Sequence, residues 1–203
     1  MIYENLYLFD DSYRNAYGEI CGVDEAGRGP LVGPVAVAAV ILEPGVRYEW
    51  LNDSKKVTEK RRERLYGEII GSCVAYHVEL IDNRTIDEMN ILGATLYGMK
   101  ICVEKMQGSG AAAALIDGNK TPAVTCPAFA VVKGDANSAS IAAASILAKV
   151  TRDRFMEELG KQYPCYGFEK HKGYPTKEHY EAIKKYGITE YHRMSFLKNL
   201  EKH

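Results

Sequence analysis

Residues 19–42 decide the fold: Glu19-Ile-Cys-Gly-Val-Asp24-Glu25-Ala-Gly27-Arg28-Gly29-Pro30-Leu-Val-Gly-Pro34-Val-Ala-Val-Ala-Ala-Val-Ile-Leu42. Glu19 to Val23 reads as a strand. Pro30 and Pro34 punctuate a turn, and Val35 to Leu42, rich in valine and alanine, reads as a buried strand. Pro44-Gly45 ends it. Two adjacent carboxylates follow the first strand, where a side chain is well placed to line a cleft. Glycines at 27 and 29 let backbone N–H groups approach a ligand closely, and Arg28 offers a forked donor suited to phosphate. The plain alternative is a solvated turn. A dinucleotide-binding loop is excluded, because the glycine spacing is wrong for it.

Outward from this stretch, residues 1–18 predict one short helix ended by Gly18. Thr58 predicts the cap of a basic helix running to about Ile70, with Leu65, Ile69 and Ile70 on its apolar face. Cys73 to Leu80 reads as a third strand. Thr85-Ile-Asp-Glu88 predicts a capping box for a helix to about Met106, with an apolar stripe at Leu92, Leu96, Met99, Val103 and Met106. Ala111 to Ile116 and Phe129 to Val132 read as short strands, and Ala139 to Gly160 as a long helix. Beyond Pro164, loops rich in Tyr, Gly, Lys and His alternate with short helices, one capped by Thr176 and stopped by Gly187. The pattern is that of an α/β domain over 1–160 with a small helical extension, 161–203, packed on it.

Bulk properties narrow the function. The 203 residues are 46% apolar and 26% charged, ordinary for a globular chain and unlike a disordered one. The clearest apolar run, Leu31 to Leu42, is too short to span a bilayer. The acidic start, MIYENLYLFDD, does not read as a secretory signal, and five cysteines without a CxxC pair fit a reducing cytoplasm. The net charge of −1 is unevenly spread: residues 1–50 carry three basic and eight acidic groups, residues 151–203 eleven and eight. An acidic pocket with a basic rim would have this distribution.

Three strand ends each present a carboxylate: Asp24 with Glu25, Asp117 in Leu-Ile-Asp117-Gly-Asn119, and Asp135 in Lys-Gly-Asp135-Ala. Such ends commonly form the ligand cleft of an α/β sheet. Clustered carboxylates repel unless protonated or bridged by cations, and Mg²⁺ suits phosphate chemistry. On the following helix, Ser138, Ser145, Lys149 and Arg152 share one narrow face. That polar stripe calls for an anionic neighbour: the aspartates, a substrate phosphate, or Asp153 or Glu158 of the same helix. Asn52-Asp-Ser54-Lys55-Lys56 with Lys60, Arg61, Arg62 and Arg64, and His171-Lys172-Gly-Tyr174-Pro-Thr176, read as surfaces for nucleic acid, although a solvated helix face explains the arginines equally well. A zinc site at Cys165, His171 and His179 is rejected on spacing.

The motifs GVDEAGRGPLVGPV, NDSKK, LIDGN, KGDA…SIAAASILAKVTRDR and YGFEKHKGYPT, in this order, closely resemble bacterial ribonuclease HII over roughly residues 19–196. The Gly27-Arg28-Gly29 form is similar to that family rather than to ribonuclease HIII. The resemblance implies a ribonuclease H-like mixed five-stranded sheet flanked by helices, with a helical C-terminal extension. It implies an endoribonuclease that cuts RNA in RNA–DNA hybrids and incises 5′ to single ribonucleotides in duplex DNA, with roles in ribonucleotide excision and primer removal. Asp24, Glu25, Asp117 and Asp135 would be the catalytic, metal-binding carboxylates. Gly27, Arg28 and Gly29 would read the 2′-hydroxyl, Tyr174 would pack on the ribose, and Ser54, Lys55 and Lys56 would contact phosphates. Asn119, Lys149, Arg152, His171 and Lys172 complete the expected substrate surface.

Two-metal hydrolysis with Mg²⁺ or Mn²⁺ is the expected mechanism, Asp24 bridging the ions and the products carrying 5′-phosphate and 3′-hydroxyl ends. Glu25 poses a problem, since neighbours on a strand point to opposite faces. It joins the site only if the strand ends or bulges, or if its longer side chain curls back. Gly93 stands where the family pattern leads one to expect a larger polar residue. No glutamine-plus-aromatics clamp-binding motif is seen, so no sliding-clamp partner is expected, and the protein is read as a monomer. The competing readings are a DNA-only metal nuclease or phosphatase of the same fold and a non-catalytic hybrid binder. A binder of polyanions gains nothing from clustered negative charge.

Overall fold

In the computed structural model, which describes residues 1–197, a five-stranded sheet separates two helical layers. The strands are β1 (Ile20–Ala26), β2 (Val35–Ile41), β3 (Ala75–Ile81), β4 (Ala113–Asp117) and β5 (Ala128–Val131), in the order β3-β2-β1-β4-β5. The β1–β2 and β2–β3 pairs are antiparallel; β1–β4 and β4–β5 are parallel. This is the expected mixed sheet. The helices are α1 (Glu4–Tyr17), α2 (Glu59–Ser72), α3 (Asn83–Gly108), α4 (Ala139–Gln162), α5 (Phe168–His171) and α6 (Lys177–Tyr186).

Alternation along the strands sorts the core. Ala36, Ala38 and Val40 face α4, packing with its Ala139, Ala142, Ala143 and Ile146. Cys21, Val23, Val37, Ala39 and Ile41 face α3, packing with its Met99, Cys102, Val103 and Met106. Small side chains let α4 lie close on the sheet. Gly22 is where α4 backbone comes closest to the sheet: a Cβ there would sit 2.1 Å from the Ser140 carbonyl carbon. The start of α4 is fastened by a remote residue. Asp10 of α1, fully buried, accepts from Ser138 Oγ (2.6 Å) and Ser140 N (2.8 Å), while Ser138 caps the Ile141 amide. Ser138 therefore belongs to this fastening and not to a substrate-facing stripe.

Three sequence expectations are corrected here. The capping box at Thr85 is unused, because Asp82 caps the helix and accepts from the Thr85 amide (2.8 Å). The helix also breaks at Asn90 (φ 59°), whose side chain caps the second half by accepting from Leu92 N and Gly93 N. Gly93 fits this restart, where a Cβ would press on Met89 Cβ at 3.3 Å. On α2, Leu65 and Ile69 are buried, but Ile70 is exposed because it lies one step beyond the helix face that meets the core.

After α4 the chain folds back on itself. Phe168, Ala182 and Ile183 pack with Met156 and Leu159 of α4 and with Leu31 and Val32 of the β1–β2 connection. Thr176 caps α6 by accepting from His179 N, as the sequence indicates. This packing brings the 172–174 turn against the 27–33 loop.

Candidate active site

Asp24, Glu25, Asp117 and Asp135 line one cleft of about 410 Å³ at the end of the central strands. The register explains the convergence. β1 continues regularly through Asp24↔Ala38, Glu25↔Val37 and Ala26↔Ala36, so it neither ends nor bulges before Glu25. Asp24 lies on the α4 face, level with Asp117, which is one residue beyond the Val23↔Ile116 pair. Glu25 lies on the α3 face, beside Leu92, Thr95 and Met99, and reaches the cleft around the end of the strand. Asp135 sits on a 3-10 turn (Gly134–Ala136) that follows β5. The Gly134 amide donates to Asp117 Oδ1 (2.7 Å), and the Glu25 amide to Asp24 Oδ1 (2.7 Å).

The electrostatics are those of a charge cluster under strain. Burial, then repulsion from Glu25, Asp117 and Asp135, holds the Asp24 carboxyl well above the usual carboxylate range. Glu25 is raised mainly by burial, against the pull of Arg28, whose Nη1 is 3.5 Å from Glu25 Oε1. Asp135 is raised by burial, then by the neighbouring charges of Asp53 and Asp117. Asp53 is a site neighbour that the sequence reading passed over, although it sits inside the Asn52–Lys56 motif. Among the described residues, no three His, Cys, Asp or Glu side chains are drawn close enough to cage an ion as they stand. The donor set nonetheless suits a hard divalent cation: oxygen ligands only, crowded, half-buried and carrying excess negative charge.

The same cleft is lined by Gly27, Arg28, Gly29, Ser54, Lys55, Ser145, Lys149, Arg152 and Tyr174. The Tyr174 ring lies over Gly29, 3.4 Å from where a Cβ would be. Ser145 Oγ donates to Ser54 Oγ (2.7 Å), tying the basic loop to α4. Three histidines lie behind Tyr174. His192 Nδ1 accepts from the Thr189 amide (2.9 Å), so the neutral ring carries its proton on Nε2, 3.3 Å from His179 Nε2. His179 must then carry its proton on Nδ1, which donates to the Tyr174 carbonyl (3.0 Å). Burial brings both histidines down to about 4, so this neutral relay persists at physiological pH.

Four expected substrate contacts, Lys149, Arg152, Lys172 and His171, are engaged with the protein itself. Lys149 lines the cleft, but its ammonium pairs with Asp153 (2.7 Å), one of the alternatives left open by spacing. Arg152 is buried and spends its guanidinium on the carbonyls of Pro34, Val32 and Lys172, so its neighbours are dipoles and not carboxylates. Lys172 Nζ pairs with Glu157 (2.6 Å). His171 Nε2 bonds the Tyr166 carbonyl, and its ring stacks on His179 with centroids 4.6 Å apart. Asn119 lies in a small adjoining recess with Glu25 and Asp117. Lys56 stands exposed outside the cleft, 3.9 Å from Asp53.

Comparison with known proteins places the chain in a family. The ribonuclease HII family model matches residues 21–199. A ribonuclease HII of Caldicellulosiruptor saccharolyticus is 50% identical over 198 residues, covering 97% of this chain and 96% of that protein. One from Vibrio vulnificus is 53% identical over 184 residues, 91% of this chain and 88% of the relative. Among solved structures, the ribonuclease HII in a PCNA complex from Archaeoglobus fulgidus superimposes with a TM-score of 0.72 at 26% identity. That match covers 91% of this chain and all of the other. Bst-RNase HIII in complex with Mn²⁺ shares the fold at 18% identity and a TM-score of 0.63, over 83% of this chain and 63% of that one. Residues 198–203, part of the C-terminal end read as lacking a clamp motif, lie outside the described residues, and no described helix is long and apolar enough to cross a membrane. The four clustered carboxylates, the mixed sheet that presents them and half-identical relatives across nearly the whole chain lead to one conclusion: the chain belongs to the ribonuclease HII family and is an endoribonuclease of the ribonuclease H type.

Proposed function

We propose that the protein cuts the RNA strand of RNA–DNA hybrids and incises duplex DNA 5′ to single embedded ribonucleotides, leaving 5′-phosphate and 3′-hydroxyl ends. The observation that carries this reading is that four carboxylates share one cleft with the Gly27–Gly29 backbone and the Tyr174 ring. A nuclease indifferent to the sugar has no use for a close-approach backbone loop beside its acidic cluster. Asp24, Glu25, Asp117 and Asp135 would hold Mg²⁺ or Mn²⁺. Asp24, on which the other three charges bear, is the one suited to serve two ions. Such ions, when bound, supply a water of lowered pKa and stabilise charge on the leaving oxygen.

The chain's own residues supply orientation and selectivity. Gly27, Arg28 and Gly29 hydrogen-bond the 2′-hydroxyl through their backbone. A site built for a hydroxyl is left unpaired by the deoxy sugar, at a cost of about 1–3 kcal/mol, or roughly 5- to 150-fold. The Arg28 guanidinium, half-exposed at the cleft mouth, and Lys55 with Ser54 meet phosphates. Tyr174 packs on the ribose where RNA gives way to DNA. The extension beyond residue 160 acts as the substrate-binding part, because it contributes Tyr174.

End-labelled duplex DNA with one ribonucleotide, beside an all-DNA control, tests this in Mg²⁺, in Mn²⁺ and in chelator. A metal-dependent cut 5′ to the ribonucleotide with the control intact is the expected result. Cutting of both duplexes would replace the reading with a general nuclease, and binding without cutting would replace it with a hybrid binder. In the same assay Tyr174→Ala is expected to lose about tenfold or more in cleavage, with all-DNA binding changed less than about threefold. Equal losses in both would remove the junction role from Tyr174.

A further inference from the structure

Arg193 supports the cleft without lining it. The side chain is fully buried, between the bridge residue His192 and a 3-10 turn (Met194–Phe196). Nε donates to the Gly33 carbonyl (2.9 Å), Nη1 to the carbonyls of Arg28 (3.0 Å) and Pro30 (2.9 Å), and Nη2 to that of Gly27 (2.7 Å). All four partners belong to the 27–33 loop, and none is a carboxylate. Burial, with the charge of Arg152 adding to it, brings Arg193 down to about 9, so the guanidinium is still charged at neutral pH.

Burying a cation whose hydrogen bonds all go to backbone carbonyls, with the Phe196 ring centroid 5.2 Å from its guanidinium and Asp87 acting only at a distance, is a poor way to gain stability, since a well-packed apolar side chain often does as well. An apolar side chain cannot, however, fix the direction of four carbonyls. In a trans peptide the C=O and the following N–H point in opposite directions, and no described peptide is cis. Carbonyls 27, 28 and 30 turned toward Arg193 therefore turn the amides of Arg28, Gly29 and Leu31 away from it. The Leu31 amide does point away, donating to the Gly173 carbonyl (2.8 Å). The Arg28 and Gly29 amides donate to no protein acceptor among the described residues, and both residues line the cleft. Arg152 reinforces the clamp by holding the Val32 and Pro34 carbonyls of the same connection and the Lys172 carbonyl of the Tyr174 turn.

We infer that Arg193 is a positioning residue that sets selectivity for the 2′-hydroxyl by holding the Arg28 and Gly29 amides turned toward the substrate. This rests on the proposed reading of residues 27–29 as the ribose reader.

The test measures binding by fluorescence anisotropy with Mg²⁺ in an Asp24→Asn background, so that nothing is cleaved. The quantity read is the ratio of affinities for a one-ribonucleotide duplex and its all-DNA counterpart. Arg193→Lys keeps the charge but loses the fork. It is expected to fold, to bind all-DNA duplex within about threefold of its parent, and to lose at least about fivefold of the ratio. Arg193→Gln, which keeps a donor but not the charge, is expected to lose a similar amount. A folded Arg193→Lys with the parent's ratio, or with both affinities lowered equally, would overturn the inference. Failure of both variants to fold would assign Arg193 to stability alone and also overturn it. A ratio near one in the Asp24→Asn parent would instead remove the reading of residues 27–29.

Discussion

Asp24→Asn is expected to abolish cleavage while raising the melting temperature of the metal-free protein. Asp24 is buried at the centre of the acidic cluster, and its carboxyl is pushed up by burial and by three like charges. Asparagine keeps the shape and an oxygen to accept the Glu25 amide, but removes the charge and one ligand oxygen. Residues that merely support a metal ligand cost about 10–100-fold when lost. A ligand expected to serve two ions should cost more, on the order of a thousandfold.

The stability gain has a definite pH signature. A carboxyl whose folded pKa is raised above its unfolded value destabilises the fold as pH rises through that interval, because the unfolded state releases its proton first. The advantage of Asp24→Asn should thus be largest at neutral pH and should shrink as pH falls toward 4. Saturating Mg²⁺ should shrink it too, since ligand binding stabilises the native wild type. Paired thermal melts with and without metal check this. A variant that cleaves at the wild-type rate, or one that is less stable than wild type in chelator at pH 7, would contradict the assignment.

Gly22→Ala is expected to be the most damaging small substitution in the core. The added methyl would lie 2.1 Å from Ser140 C, 2.3 Å from Ile141 N and 2.5 Å from Ser140 O. These are backbone atoms at the start of α4, so no side chain can rotate aside. The helix must shift, which disturbs its bond to Asp10 and the packing of Ile141 on β4. Overpacking against side chains costs about 1–3 kcal/mol, so a clash with backbone should cost at least about 3 kcal/mol. For a chain of this size that is a drop of roughly 6–12 °C in melting temperature. Soluble expression with a melting point within about 3 °C of wild type would show that α4 yields more easily than its packing suggests.

Much of the site is legible along the chain because it is written locally. Asp24, Asp117 and Asp135 each follow a short apolar run that reads as a strand, and each is followed by glycine-containing turn residues or a polar helix start. Thr176 and Gly187 mark α6 by the same local chemistry. Local rules fail where the partner is remote. Ser138 reads as part of a polar stripe because Asp10, 128 residues away, is invisible at that range. For Lys149, Lys172 and His171, spacing alone does not choose between a phosphate and the partners the fold supplies, Asp153, Glu157 and the Tyr166 carbonyl. The helix break at Asn90 is missed because a helical stripe continues on both sides of it.

The five strand segments, the three carboxylate-bearing strand ends and the glycine-flanked arginine were thus determined by the sequence itself, through hydrophobic runs and turn residues that act within a few positions. Only the tertiary structure decided how Glu25 reaches the cleft from the opposite face, that Asp53 sets its charge near Asp135, and that Arg152 and Arg193 hold backbone carbonyls. The physical reason is one of range. Strand and turn preferences are settled by neighbours in the chain, whereas the partner of a buried charge is settled by whatever the packed fold brings within 3 Å of it.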